Sequence, residues 1–497
     1  MIDRYFIFFV CIFYCFLTFP WLNKGLSSLD ANGVIHSANT LISNGHYVPS
    51  RPPGHPSYEF YLLYPVGKIV GSFFNSKLLI TSTIYNTFQF LFGIGVLLSF
   101  YQLLRLLGLN KINSSWGVLS FCLSPIFLIN SFDGDEVNQA LLCFLLSFAC
   151  FIQALNKFNQ PFKKWILIAS ALLAIATGFR QEFIFTFILF PIFFYLHPNC
   201  TFWHFLKYVP VQLIFGFIIW CPVLFYNNFS LPLPMPILEN DPLSDLKNKL
   251  LAGTYRLVFQ GFTLPISILF TMVGFVLYKK FKDFAELDIC QKFTLLVTGV
   301  IIPMYLVLYY TYPFKVIFVI ITLPLVIISC FYLIKSRILT IFLLVFGFIS
   351  IFYNIEVTKN REVVLPYIDA SIYSKAVANK SFFKSRKLDE NLIYDFPNEA
   401  IVIFDLWPWD LNFMVNENII ENSSDKFLYS YKDDSKALFI ANRQILDESD
   451  LLLKHQMDGK LIFIKKELFS SYFYRYSPGN VTSNIMNIGE LQFHLFP

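Results

Sequence analysis

The chain has 497 residues, of which 56% are hydrophobic, 19% aromatic and 14% charged. Soluble domains carry about 25% charged residues, so this composition excludes an ordinary water-soluble fold and points to a lipid-facing protein. A net charge of +5 with no concentrated basic run excludes a nucleic-acid footprint.

Apolar stretches long enough to span a bilayer recur through residues 1–354. The first, 5–21, follows Arg4 and ends in Phe19-Pro20-Trp21 with no small-x-small cleavage site, so it reads as a retained span rather than a signal peptide. Further spans are expected at 79–104, 114–131, 138–156, 164–178, 183–197, 205–226, 264–278, 293–310, 314–333 and 338–354, about eleven in all. With the N-terminus cytoplasmic, the inside loops hold Arg105 and Lys111; Lys157, Lys163 and Lys164; Lys207; Lys279, Lys280, Lys282 and Lys292; Lys335 and Arg337. Basic inside loops are what the positive-inside rule requires. An odd count then sends the C-terminal stretch to the outer side of a bacterial inner membrane or of an endoplasmic reticulum membrane.

Three outer segments result: 22–78, the proline-rich 227–263, and 355–497, where the composition turns polar. In the last, residues 400–404, 437–441 and 460–464 read as short buried strands with helix-like stretches between them, a small α/β domain. The domain division is therefore 1–354, transmembrane, and 355–497, extracytoplasmic. The nine cysteines lie in or beside apolar segments and form no CxxC or Cys/His metal pattern, so they read as small buried hydrophobes.

The first outer segment carries an amphipathic stretch from Asp30 to Gly45. Val34, Ile35, Ala38, Leu41 and Ile42 share one face, and His36, Ser37, Asn39, Thr40 and Ser43 the other, as in a helix lying in the membrane interface. Gly45 ends it. Asp30 reads either as its N-cap or as a functional carboxylate. Next comes Ser50-Arg51-Pro52-Pro53-Gly54-His55-Pro56-Ser57-Tyr58-Glu59, a stiff irregular segment from which Arg51 and His55 could hold an anion, beside Tyr58. Its plainer reading is a connector whose arginine meets lipid headgroups.

Asp133, Asp135 and Glu136 form a third cluster between spans three and four. They read as a charged cap on span four or as a site for a base, an acceptor sugar or a cation. Gly178-Phe179-Arg180-Gln181-Glu182 joins spans five and six. Arg180 stands among apolar residues, either snorkelling to the interface or serving a phosphate.

These motifs together resemble the GT-C superfamily of membrane glycosyltransferases. The resemblance is to the protein O-mannosyltransferase and lipid A aminoarabinose transferase group (glycosyltransferase family 39-like). It rests on Asp30, Gly45-His46-Tyr47, the segment from Ser50 to Pro56, Asp133 to Glu136 and Gly178 to Glu182, and covers about residues 1–200. It implies a GT-C-like α-helical polytopic protein with outer interfacial helices. It also implies inverting transfer of a sugar from a polyprenyl-phosphate donor to a hydroxyl on a glycan, lipid or protein acceptor. Asp30 would correspond to the general base, and Asp133, Asp135 and Glu136 to the second acidic motif. Arg51, His55 and Arg180 would meet the lipid phosphate, with Tyr58 and Glu182 in the substrate site. Many members pair two acids in the first loop, whereas here Asp30 is followed by Ala31. No cofactor is demanded, although the carboxylates offer oxygen ligands to a divalent cation. The competing classes are a lipid or glycan flippase and a lipid-linked glycan polymerase or ligase. A reporter fused after Pro497 is expected on the extracytoplasmic side; a cytoplasmic signal would break every same-face assignment above.

Overall fold

The computed structural model describes residues 2–19, 29–45, 47, 49–50, 54–73, 80, 82–124, 126–128, 131, 137–156, 163–226, 250, 254, 257, 264–311, 319–335, 337–352, 356–357, 363–364, 395–403, 420–422, 428–431, 438–441, 458, 460–465, 485–488 and 491–495. Helices fill the N-terminal part. They are α1 (Ile2–Thr18), α2 (Leu29–Asn44) and α3 (Pro56–Tyr58), the last running through a π-helical turn (Glu59–Leu63) into α4 (Tyr64–Phe73). Then come α5 (Ser82–Leu106), α6 (Lys111–Cys122), α7 (Val137–Asn156) and α8 (Lys163–Phe179). A 3-10 run (Gln181–Ile188) leads to α9 (Leu189–Leu196) and α10 (Phe202–Tyr226). α11 (Leu264–Lys282), α12 (Ile289–Thr311), α13 (Thr322–Ile328) with a π-helical extension (Ser329–Ile334), and α14 (Arg337–Phe352) complete the series.

Each of the eleven apolar segments expected from sequence contains helix. Among the described residues, four helices are long and apolar enough to cross a bilayer on length and composition: Thr83–Leu106, Val137–Asn156, Phe202–Tyr226 and Ile289–Tyr310. The others are shorter, including the apolar runs Tyr5–Thr18, Gln181–Leu196 and Thr322–Ile334.

α7 lies at the centre, between α5 and α8. Its small residues Ala140, Ser147 and Ala154 let neighbouring backbones approach, and the Ser147 hydroxyl donates to the Ala169 carbonyl of α8 (3.3 Å). Its larger residues interlock with other helices: Phe151 stands 5.0 Å from Phe190 and Phe148 5.5 Å from Phe293, ring centre to ring centre. α10 is the opposite case, exposing Leu213, Ile214, Phe217 and Phe225. Contiguous apolar exposure of this kind suits lipid and not water. All nine cysteines are free thiols, five of them buried.

α2 departs from the expected two-faced helix. Val34, Ile35, Ala38, Leu41 and Ile42 are buried, but Ser37 and Asn39 on the supposedly polar face are buried too. The reason is a neighbour 41 residues away: Asn39 donates to the Ile80 carbonyl (3.0 Å) and accepts from the Ile80 N–H (2.7 Å), so its amide pairs fully with a backbone strip. The helix thus packs within the protein on two sides. It also begins at Leu29, which puts Asp30 in the first turn rather than at the cap. Gly45 ends it as expected, with φ +70° and its N–H on the Leu41 carbonyl (3.0 Å).

Beyond α14 the described chain is β-structure. β1 (Glu356–Val357) and β2 (Val363–Val364) form a short antiparallel ribbon. β3 (Ala400–Ile403), β4 (Ile420–Asn422), β5 (Leu428–Tyr431), β6 (Leu438–Ala441), β7 (Ile462–Lys465), β8 (Ile485–Ile488) and β9 (Leu491–Leu495) form a seven-stranded sheet of order β4-β5-β6-β3-β7-β9-β8. The three strands read from sequence are its centre. β3 pairs parallel with β6 and with β7, and continuous apolar strands are what a parallel sheet centre requires. The remaining pairs are antiparallel. The helix-like stretches expected between the strands lie outside the described residues.

The crossing of α1 and α5 is set by Gly93. A Cβ there would come within 2.6 Å of the Tyr14 ring carbon bearing the hydroxyl, and Tyr14 is fully buried. A Gly93→Ala variant is therefore expected to lose about 1–3 kcal/mol of stability, as overpacked cores do. Thermal unfolding in a mild detergent checks it; an unchanged melting temperature would show that the two helices do not cross there.

Candidate functional site

The site begins at a broken helix. α8 ends at Phe179 and the 3-10 run starts at Gln181, leaving Arg180 as a single extended residue (φ −146°, ψ 114°). A helix end leaves backbone carbonyls without intrahelical donors, and in apolar surroundings each must find another. Here the last carbonyl of α8 finds its donor 124 residues away, and further side chains bond the turns on either side. His55 Nδ1 meets the Phe179 carbonyl at 2.5 Å. A carbonyl only accepts, so Nδ1 carries the proton and the tautomer is fixed. The Ser57 hydroxyl donates to the Ile175 carbonyl (2.9 Å) and the Thr177 hydroxyl to Ala174 (2.7 Å). Trp220 Nε1 on α10 donates to the Thr177 hydroxyl (3.3 Å), and the Tyr305 hydroxyl on α12 donates to the Glu182 carbonyl (2.9 Å). The 3-10 geometry, unusual over eight residues, replaces the α-helix expected from 183. Tyr305 and the Thr186 hydroxyl on Phe183 (2.6 Å) hold its first turns.

Arg180 does not snorkel. Its side chain is 2% exposed, and its Nε donates to Glu182 Oε1 at 2.7 Å. A buried guanidinium needs such a partner, because burying an unpaired ion costs several kcal/mol. Gly178 makes the close approach: a Cβ there would collide with Ser57 and Ile219, so α8, the 54–59 segment and α10 meet at backbone distance.

The 54–59 segment is the second half of the site. Gly54 takes φ +99°, a conformation that favours glycine. Pro56 starts α3, a position where the missing N–H costs nothing. Tyr58 is buried, its ring 5.2 Å from Tyr85 and 5.9 Å from Phe179. Glu59 is buried as well, and accepts from the Tyr47 hydroxyl and from the Ser50 N–H (3.2 Å). Burial pushes its carboxyl above the usual range, while the donors from Ser50 and Tyr47 pull it back. α2, which carries Asp30, packs on this π-helical turn and on α4.

The structure thus brings His55, Tyr58, Arg180 and Glu182 to one place from two separate motifs. The backbone of Asp30 lies on the adjoining helix. The Asp30 side chain, Arg51, and Asp133, Asp135 and Glu136 lie outside the described residues. Among the described residues no group of three or more His, Cys, Asp or Glu is placed to hold a metal ion. The sequence pattern assigned no role to Ser57, Glu59, Tyr47, Trp220 or Tyr305. Of these, Tyr47 belonged to the Gly45-His46-Tyr47 turn, and Glu59 stood out as a lone acid in the otherwise apolar run from Tyr58 to Leu63.

This helical architecture is shared with solved structures of low sequence identity. The chain superposes on the crystal structure of ArnT from Cupriavidus metallidurans in the apo state with a TM-score of 0.57 at 10% identity, covering 100% of this chain and 98% of that one. On ArnT from the same organism bound to undecaprenyl phosphate the TM-score is 0.55 at 8% identity, covering 98% and 97%. The likeness is one of fold, and it extends beyond the first 200 residues that carry the motifs. No protein-family model matches the chain, and no curated protein does.

Removing one partner of a buried ion pair typically costs about 3–5 kcal/mol. Glu182→Ala is expected to destabilise by that order, and Arg180→Met with Glu182→Leu to recover most of it. Denaturation in detergent measures both; a Glu182→Ala variant as stable as the parent would mean the pair does not hold the break.

Proposed function

We propose that the protein is an inverting glycosyltransferase that moves a sugar from a polyprenyl-phosphate donor to an acceptor hydroxyl at the outer membrane face. The observation that carries this is the meeting of the His55 and Arg180 motifs at a broken helix, in a chain with the fold of a protein crystallised with undecaprenyl phosphate. The division into a transmembrane part, 1–354, and an extracytoplasmic part, 355–497, belongs to the same proposal.

The chemistry follows from the residue types. The leaving group is a lipid phosphate, whose developing charge needs cations held in place beforehand. Arg51 and Arg180 supply them in this reading, joined by His55 when its Nε2 is protonated as well as Nδ1, and the Nε bond to Glu182 fixes the plane of the Arg180 guanidinium. The acceptor hydroxyl loses its proton as it attacks the anomeric carbon from the face opposite the phosphate, which inverts the configuration. Asp30 takes that proton, and Asp133, Asp135 and Glu136 hold the acceptor. Lipid-facing helices such as α10 give the polyprenyl tail an apolar path to the site. The scheme requires no cofactor.

General-base catalysis contributes about 10²–10⁴-fold. Purified protein in lipid, offered a panel of polyprenyl-phosphate sugars, is expected to turn over one of them, and Asp30→Asn to lose that rate by this factor with its fold intact. An Asp30→Asn variant at full rate would remove Asp30 as the base.

A further inference from the structure

The turn between α5 and α6 closes its own hydrogen bonds without a charged group. Gly108 (φ +88°) ends α5, its N–H on the Arg105 carbonyl (3.0 Å), and the Leu109 N–H meets the Leu104 carbonyl (3.2 Å). The Leu107 N–H takes the Leu103 carbonyl (3.0 Å), and the Asn156 amide at the end of α7 donates to the Leu106 carbonyl (3.1 Å). The carbonyls that a helix end leaves over, Leu103 to Leu106, are thus all satisfied. Asn110 then caps α6, its side chain accepting from the Asn113 N–H (2.8 Å).

The same turn walls a cavity of about 490 Å³, lined by Arg105, Gly108, Leu109, Asn110, Lys111 and Ile112. Two of these residues are cations and none is acidic. Arg105 gives one guanidinium N–H to the Leu109 carbonyl, which ties it against the turn and leaves its other donors to spare. Among the described residues neither Arg105 nor Lys111 pairs with a carboxylate. Orientation in a membrane asks only that basic residues lie at one end of a bundle. Two unpaired cations on one cavity, one of them tied in place, exceed that need and suit the oxygens of a phosphate.

The depth of the cavity narrows the choice of anion. Tyr85, near the start of α5, stands 5.2 Å from Tyr58 of the Arg180 site, ring centre to ring centre. Arg105 lies more than five turns further along the same helix, about 30 Å away, which is the thickness of a bilayer's hydrocarbon core. The cavity therefore opens at the level of the opposite headgroups. Ile112 on its rim is 49% exposed, an apolar neighbour for the start of an acyl chain.

We propose that this cavity binds an anionic phospholipid of the leaflet opposite the Arg180 site, its phosphate held between Arg105 and Lys111. Basic pockets beside membrane helices hold anionic headgroups in this way. The site does not depend on the transferase reading. Asn156, which ties the α5 end to α7, also accepts from the Cys290 thiol of α12 (3.1 Å), so a lipid bound at the turn braces the ends of three helices.

Native mass spectrometry of the full chain in mild detergent tests this. The protein is titrated with phosphatidylglycerol and with diacylglycerol, which lacks the phosphate; soluble glycerol 3-phosphate serves as competitor. The proteins compared are the parent, Arg105→Gln/Lys111→Gln, Lys111→Gln alone, and Lys279→Gln/Lys282→Gln. The last pair removes the same charge from exposed residues at the end of α11, outside the cavity. Lys111→Gln breaks no hydrogen bond within the chain and keeps the test open where the double variant fails to fold. The expected result is a tightest phosphatidylglycerol site whose Kd weakens roughly tenfold in Arg105→Gln/Lys111→Gln, the size of one charged hydrogen bond, and in the same direction in Lys111→Gln. The Lys279→Gln/Lys282→Gln protein and diacylglycerol binding are expected to be unchanged. Equal weakening in both double variants would show general attraction to the charged end and overturn the proposal. So would an unchanged Kd, a parent that binds diacylglycerol as tightly, or displacement of the lipid by equimolar glycerol 3-phosphate, which would make the ligand a free phosphate.

Discussion

The arrangement depends on how the interruption at Arg180 is satisfied. Ending α8 at Phe179 and restarting the chain at Gln181 strands backbone carbonyls among apolar side chains, where water cannot serve them. The His55 imidazole takes the Phe179 carbonyl, and hydroxyl and indole groups from the 54–59 segment, α10 and α12 bond the turns on either side. Those bonds hold the break open, and they also dock three remote pieces of chain against it. A continuous helix would need none of these partners and would offer no polar site. The fold and the site are in this sense one construction.

The same logic explains three of the buried polar residues. Asn39 pairs both amide groups with Ile80, Glu59 ties two arms of a loop, and Arg180 faces Glu182. In each case the cost of taking a polar group out of water is offset by a partner far along the chain or just across a turn. Where no such partner is needed, as on α10, the surface is left to apolar side chains and lipid.

Much of this was legible in the sequence. Apolar run length located the helices, Gly45 the end of α2, and three apolar pentads the centre of the sheet, because those signals are local. His55 and Arg180 were legible as site residues because a cation or an imidazole set among prolines or phenylalanines is costly to bury without a partner or a ligand. What stayed hidden was long-range. The bond from His55 to Phe179 spans 124 residues, and that from Tyr305 to Glu182 spans 123, and neither leaves any periodicity to read. Asn39 looked like one polar residue on a polar face because its partner at Ile80 is a backbone strip with no sequence mark. The flanking antiparallel strands β4, β5, β8 and β9 were missed because their composition is mixed, as partly solvated antiparallel strands allow.

The central claim is that one site at the Arg180 break receives the lipid phosphate. Photolabelling in native-like membranes, with a polyprenyl phosphate carrying a diazirine beside the phosphate, tests it directly when the labelled residues are mapped by mass spectrometry. The account predicts labels confined to peptides containing residues 47–64 and 175–186, competed away by unlabelled polyprenyl phosphate. Labels confined to the lipid-facing surface of α10, or none that unlabelled lipid displaces, would contradict it.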